Sequence, residues 1–244
     1  MAYPKHVFDQ IYETDLVFVS DCWKLCGDAH CCNFSRYKSN FKLLARTHFQ
    51  ELPLLPGEFE YMKDHGRLDQ FGDYELKTVE FDIGDYVFRA ESIISRKQGC
   101  ACDHNIRPTI CRLYPLLPCY EPNGRLIGTE RVGIYEEIEQ LAGMSPACQL
   151  SAIPFDQLQS FLSIANVIAA SPLQLFYIMA YRLTKNHVAR QLGRRFEDSE
   201  RDIFSVFEAG LFRNKLVRPA RLRRQLQTLF RTFQAEYGED FHQA

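Results

Sequence analysis

Several short motifs that mark common enzyme chemistries are missing from this sequence. It has no glycine-rich loop able to cradle phosphates, no dinucleotide-binding fingerprint and no nucleophile elbow. P-loop nucleotide hydrolysis, Rossmann-type hydride transfer and α/β-hydrolase chemistry are therefore not expected. It holds neither an internal repeat nor a low-complexity tract. The first residues, Met1-Ala-Tyr-Pro-Lys-His-Val-Phe, contain no apolar signal core and no small-residue cleavage site, and neither end carries a lipidation motif. These absences lead us to expect a reducing compartment, the cytoplasm. Cysteine is absent after Cys148, and acidic residues are absent between Leu211 and Gln234.

The chain has 244 residues, 46% hydrophobic and 25% charged, so it can bury a core without disulfide staples. Residues 1–150 carry 16 Lys+Arg against 22 Asp+Glu, whereas residues 151–244 carry 13 against 9. This asymmetry follows the cysteine boundary. It predicts a cysteine-rich metal-binding domain at 1–150 and a helical domain or extension at 151–244. Residues 157–181 carry no charge, a length that could cross a bilayer. Gln157, Gln159, Asn166, Gln174 and the central Ser171-Pro172 argue instead for two buried helices broken at the proline, and no membrane partner is expected.

Local patterns predict an α+β fold: small antiparallel hairpins and helices around a cysteine site, followed by a helical C-terminal part. Residues 5–20 suit a short strand or helix, and 35–50 look partly extended and basic. Glu58 to His65 suits a helix entered at Pro56-Gly57 and stopped by Gly66. Val79, Phe81 and Ile83 alternate with Glu80 and Asp82, the period of a strand. Gly84-Asp85 offers a tight turn before Tyr86-Val87-Phe88 returns. Pro122-Asn123-Gly124 marks a second turn between Cys119-Tyr120 and Leu126-Ile127, and 133–143 reads as a short helix. From Pro154 onward the pattern is helical: one segment with apolar residues at 158, 161, 162, 164, 165, 168 and 169, one from Leu173 to Leu192 ended by Gly193, then Asp202 to Leu211 and Pro219 to Tyr237.

The nine cysteines carry the chemical signal. The first block is Cys22-x3-Cys26-x4-Cys31-Cys32, the second is Cys100-x-Cys102-x8-Cys111-x7-Cys119, and Cys148 stands apart. In a reducing compartment thiols this dense point to metal rather than disulfides. Zinc and iron–sulfur clusters both suit soft anionic sulfur, and the sequence does not choose between them. Cys22 and Cys26 are spaced to reach one ion from a single turn. Adjacent Cys31 and Cys32 diverge, so one ligates and the other packs, or the pair bridges a multinuclear site. Pro108 and Pro115 bracket Cys111 and stiffen it, which raises metal affinity by reducing the entropy lost on binding. The candidate metal set is Cys22, Cys26, Cys31, Cys32, Cys100, Cys102, Cys111 and Cys119.

The combination Cys22-x3-Cys26…Cys31-Cys32 with Gly99-Cys100…Arg107-Pro108-x2-Cys111-Arg112-x-Tyr114-Pro115…Cys119 resembles the YkgJ-like cysteine-cluster family of zinc- or iron-chelating proteins, over roughly residues 20–120. The resemblance implies a metal site built from Cys22, Cys26, one of Cys31 and Cys32, Cys100, Cys111 and, at the motif's margin, Cys119. Two departures stand out. Gly27-Asp28-Ala29-His30 makes a longer gap than the two residues typical of the family, and Cys102 competes with Cys100. His30 and His104 are substitute ligand candidates. The same style of cluster resembles that of flagellin lysine N-methylases, which implies a metal-dependent protein-modifying enzyme as an alternative, although no cofactor-binding motif accompanies it.

Other residues invite plainer readings. Arg107 and Arg112 are expected to pair with acids of the N-terminal half. The functional alternative is that they balance a thiolate cluster or hold an anionic substrate. Tyr114 reads as core, its hydroxyl hydrogen-bonded. His48 and His65 read as structural or surface residues, and Glu136-Glu137 as a helix surface. Arg213, Lys215, Arg218, Arg221, Arg223, Arg224 and Arg231 form a basic stretch. It reads as a solvated helix face with Leu222, Leu226, Leu229 and Phe230 inward. The alternative is an adaptor surface for a protein partner. Nucleic acid is not expected, because no aromatic stacking pattern or nucleic-acid motif accompanies the charges.

Overall fold

The computed structural model describes residues 4–18, 40–42, 50–83, 86–97, 106–144, 153–212, 219–238 and 241. Among them the fold is α+β. The helices are α1 (Lys5–Glu13), α2 (Glu58–Asp64), α3 (Thr109–Leu113), α4 (Tyr135–Leu141), α5 (Phe155–Ala169), α6 (Pro172–Glu197), α7 (Ile203–Phe212) and α8 (Pro219–Tyr237). The strands are β1 (Gln50–Leu54), β2 (Tyr74–Asp82), β3 (Val87–Ser95), β4 (Leu116–Tyr120) and β5 (Leu126–Arg131). They form two antiparallel sheets, one in the order β1-β3-β2 and one a β4-β5 hairpin.

Both expected hairpins are present. β2 and β3 pair from Tyr74↔Ser95 to Asp82↔Val87. β4 and β5 pair from Leu116↔Arg131 across the Pro122-Asn123-Gly124 turn, where Gly124 takes the left-handed conformation that the turn demands. The turn residues Gly84-Asp85 lie outside the described residues. The period-two signal of β2 does not reflect a buried face. Most of this edge strand is exposed, and only Tyr74 at its start and Phe81 near its end pack on the core.

Helix boundaries largely follow local chemistry. Gly57, left-handed at φ 79°, opens α2, and Gly66 follows its end. Asp202 opens α7, its carboxylate accepting from the Ser205 amide at 2.9 Å and the Ser205 hydroxyl at 2.7 Å. The uncharged stretch splits as expected, with Pro172 at the start of α6 and α5 and α6 meeting at 108°. Among the described residues no single helix is long and apolar enough to cross a membrane. One boundary differs: α6 runs through Gly193 to Glu197. Leu192 is fully buried in a cluster with Phe204 and Phe207, and Phe196 packs on the same cluster. That anchorage outweighs the roughly 1 kcal/mol that a mid-helix glycine costs.

The larger core draws Phe8 and Ile11 from α1, Leu52 from β1, Tyr61 from α2, Leu117 from β4, Ile164 from α5, Phe176 from α6 and Phe233 from α8. Apolar side chains from either side of residue 150 thus meet in one interior. A smaller cluster joins Phe41 and Ile138 to α7.

Candidate functional site

The Arg107-Pro108-x2-Cys111-Arg112-x-Tyr114-Pro115 string forms one compact unit. Pro108 caps α3, because its fixed φ and extended ψ suit the residue before a first turn. α3 has only five residues, and its side chains leave in different directions. Arg112, only 2% exposed, points toward α1. Its Nη2 donates to the Thr14 carbonyl, and its guanidinium lies 5.5 Å from the Tyr12 ring centroid. Arg107 Nη2 donates to the Leu16 carbonyl at 3.2 Å. Each of these arginines thus donates to a backbone carbonyl, and Arg112 is also within electrostatic reach of Glu58. Leu16 precedes Cys22 by six residues. The motif arginines therefore anchor the lead-in to the first cysteine block beside the helix that carries Cys111.

A fully buried carboxylate completes this unit. Glu58 Oε1 accepts from the Tyr12 hydroxyl at 2.9 Å and from the amide and hydroxyl of Thr109, each at 2.6 Å; Oε2 accepts from the Leu55 amide at 2.8 Å. Burial raises the Glu58 pKa against the pull of these donors. Burial also raises the Tyr12 pKa, and burial followed by the nearby Arg107 lowers that of Arg112. Arg67 adds a third guanidinium, 4.3 Å from the Tyr12 ring centroid. Arg112 is thus within electrostatic reach of Arg107, Arg67 and the Glu58 carboxylate. Asp9 on α1 accepts from Lys5 at 2.8 Å and from the Tyr61 hydroxyl at 3.1 Å. Buried guanidiniums are costly unless they are hydrogen-bonded or met by an anion.

The two described cysteines sit on the other side, toward α6. Cys111 is half-buried and within electrostatic reach of Tyr181, whose pKa burial raises. Tyr114 packs against the core, and its hydroxyl bonds Glu136, whose pKa burial also raises. Glu136 and Glu137 are therefore not a plain helix surface: both are partly buried, and Glu137 lies 4.0 Å from Lys185. Cys119 is 5% exposed in β4 and contacts the Leu117 carbonyl at 3.7 Å. It neighbours the ion-paired group Glu130–Arg182–Lys185, at 3.1 and 3.0 Å. Burial raises its pKa against the pull of Arg182 and Lys185.

Cys22, Cys26, His30, Cys31, Cys32, His48, Cys100, Cys102, His104 and Cys148 lie outside the described residues. Among the described residues no group of three His, Cys, Asp or Glu side chains could hold a metal ion. His65 has a structural role: Nδ1 lies 2.7 Å from the Tyr61 carbonyl, and its ring stacks on Tyr61. Glu58, Tyr12 and Thr109 gave no sign in the sequence. Their partnerships span 46 and 51 residues, and only the glutamate's place in the first turn after Pro56-Gly57 hinted at a fixed position.

In comparison with known proteins, no protein-family model matches the chain, and neither curated proteins nor solved structures give a match.

Proposed function

We propose that this protein binds a zinc ion or an iron–sulfur cluster through cysteine thiolates, with Cys22, Cys26, one of Cys31 and Cys32, one of Cys100 and Cys102, and Cys111 as ligands. One observation carries the reading. Arg107 and Arg112, on either side of Cys111, are buried and tether the chain at Thr14 and Leu16, just ahead of the first cysteine block. Their two positive charges would help to balance an anionic thiolate centre. Cys111 is half-buried on the α6 side of α3, with partial access that suits a ligand. Cys119 is buried in β4 beside the Glu130–Arg182–Lys185 group, and we assign it to packing. When bound, the ion would cross-link two sequence-distant loops, so that metal affinity and folding are coupled.

The test is elemental analysis with a visible spectrum on protein purified without oxygen. Near-stoichiometric zinc in colourless protein, or iron with sulfide in brown protein, supports the reading and identifies the metal. Protein that folds fully with neither metal overturns it. Cys111→Ser is expected to lose most of the metal, and Cys119→Ser to retain it.

A second reading, an adaptor that docks an acidic partner, is favoured by α8. Arg221, Arg224 and Arg231 are exposed along one stripe of that helix, while Leu222, Leu226 and Phe230 are buried. The inward apolar and outward basic division matches the expected helix face.

A further inference from the structure

We propose that a cleft between the end of α6 and α7, remote in sequence from the cysteine motif, binds a small phosphate monoester. The cleft is about 290 Å³, and Arg195, Asp198, Ser199 and Arg201 line its polar side while Val206 and Ala209 form an apolar wall. Neither arginine side chain is engaged in an ion pair or hydrogen bond among the described residues, and the Arg195 Nε is buried without a hydrogen-bond partner. The Ser199 oxygen accepts the Arg201 amide at 3.1 Å, which leaves its O–H free to donate.

The donor set selects the ligand. Two guanidinium forks and a hydroxyl present more donors than a carboxylate has lone pairs to receive, but they match the three terminal oxygens of a phosphate. The carbonyl end of α6 opposes an anion, so the attraction must come from the arginines, and both are needed. Asp198 adds one opposing charge, which the two guanidiniums outweigh, and a dianion gains about twice what a monoanion does from the remaining positive field. Val206 and Ala209 offer apolar contact to the carbon of an ester. The volume lies just below the range of about 300–1,000 Å³ for drug-sized ligand sites, which fits a small ester.

The experiment is isothermal titration of the full chain with phenyl phosphate, inorganic phosphate and phenyl sulfate. The expected result is saturable binding of phenyl phosphate at one site, weaker binding of inorganic phosphate and weakest binding of phenyl sulfate. Arg195→Met and Arg201→Met should each weaken phenyl phosphate by about tenfold or more. Asp198→Asn should tighten it, a gain that general damage to the fold cannot produce. Arg195→Lys keeps the charge but loses the fork, and should weaken binding by a smaller factor. If Arg195→Met does not fold, wild-type affinity in Arg195→Lys overturns the proposal. Absence of saturable binding, or weaker binding in Asp198→Asn, also overturns it. So does an equal loss in Arg221→Gln, which removes a surface cation elsewhere and would reduce the effect to bulk charge.

Discussion

Arginine does opposite work at the two ends of this chain. In α3 and just before it, Arg112 and Arg107 are 2% and 7% exposed and bond the carbonyls of Thr14 and Leu16. In α8, Arg221, Arg224 and Arg231 stand in solvent, and Arg223 reaches Asp82 only at 3.8 Å across an exposed gap. The buried pair has lost its hydration and must be held by geometry. The exposed set keeps its water and contributes charge without shape. The comparison separates an internal joint that fixes where the first cysteine block enters from a surface free to meet other molecules.

The most severe test is Arg112→Met. It removes a buried charged donor to Thr14 and its packing on Tyr12, and should cost about 3 kcal/mol in urea denaturation. A loss below about 1 kcal/mol would place Arg112 with the surface arginines and remove the contrast. Glu58→Gln comes next, at roughly 2 kcal/mol, because one amide N–H must face a backbone donor, either Thr109 or Leu55. It also has a pH signature. The folded-state pKa of Glu58 is raised, so the folded protein holds this proton more tightly than the unfolded chain, and stability falls as pH rises from about 4.5 through the folded value. Wild type should therefore gain stability relative to Glu58→Gln on moving from neutral pH toward pH 5. A constant difference between the two would show that Glu58 titrates normally.

The smallest stability effect is expected from the triple variant Arg221→Gln, Arg224→Gln, Arg231→Gln, within about 0.5 kcal/mol of wild type. The same variant should elute from a heparin column at clearly lower salt, because it loses three exposed cations that have no ion-pair partner among the described residues. A large stability loss with unchanged elution would reverse the roles assigned to the two arginine groups.

Much of the fold was legible locally. Alternation at Val79, Phe81 and Ile83 located a strand, Ser171-Pro172 located the break between α5 and α6, and the leucines of 219–237 oriented α8 correctly. These signals are intrinsic to the chain, since they depend on backbone sterics and on periodicity. Where the reading failed, distant packing had intervened. Gly193 stayed helical because Leu192 and Phe196 are anchored in the smaller core. β2 alternates in sequence but lies mostly exposed at a sheet edge. Glu136 looked like surface and is tied to Tyr114. Of the candidate site, the cysteine spacing and the Arg-Pro-x-x-Cys-Arg string were legible, but the carbonyl partners of the two arginines were not.

Sequence alone determined the elements, the concentration of thiols before residue 150 and the placement of cations around Cys111, because spacing and charge are properties of the chain. The tertiary structure decided which of those cations lost their water, that Glu58 sits among them, and that Cys119 turns toward Glu130 and Lys185. Burial and partnership come into being only when segments 46 to 51 residues apart close on each other, as Tyr12, Glu58 and Thr109 do.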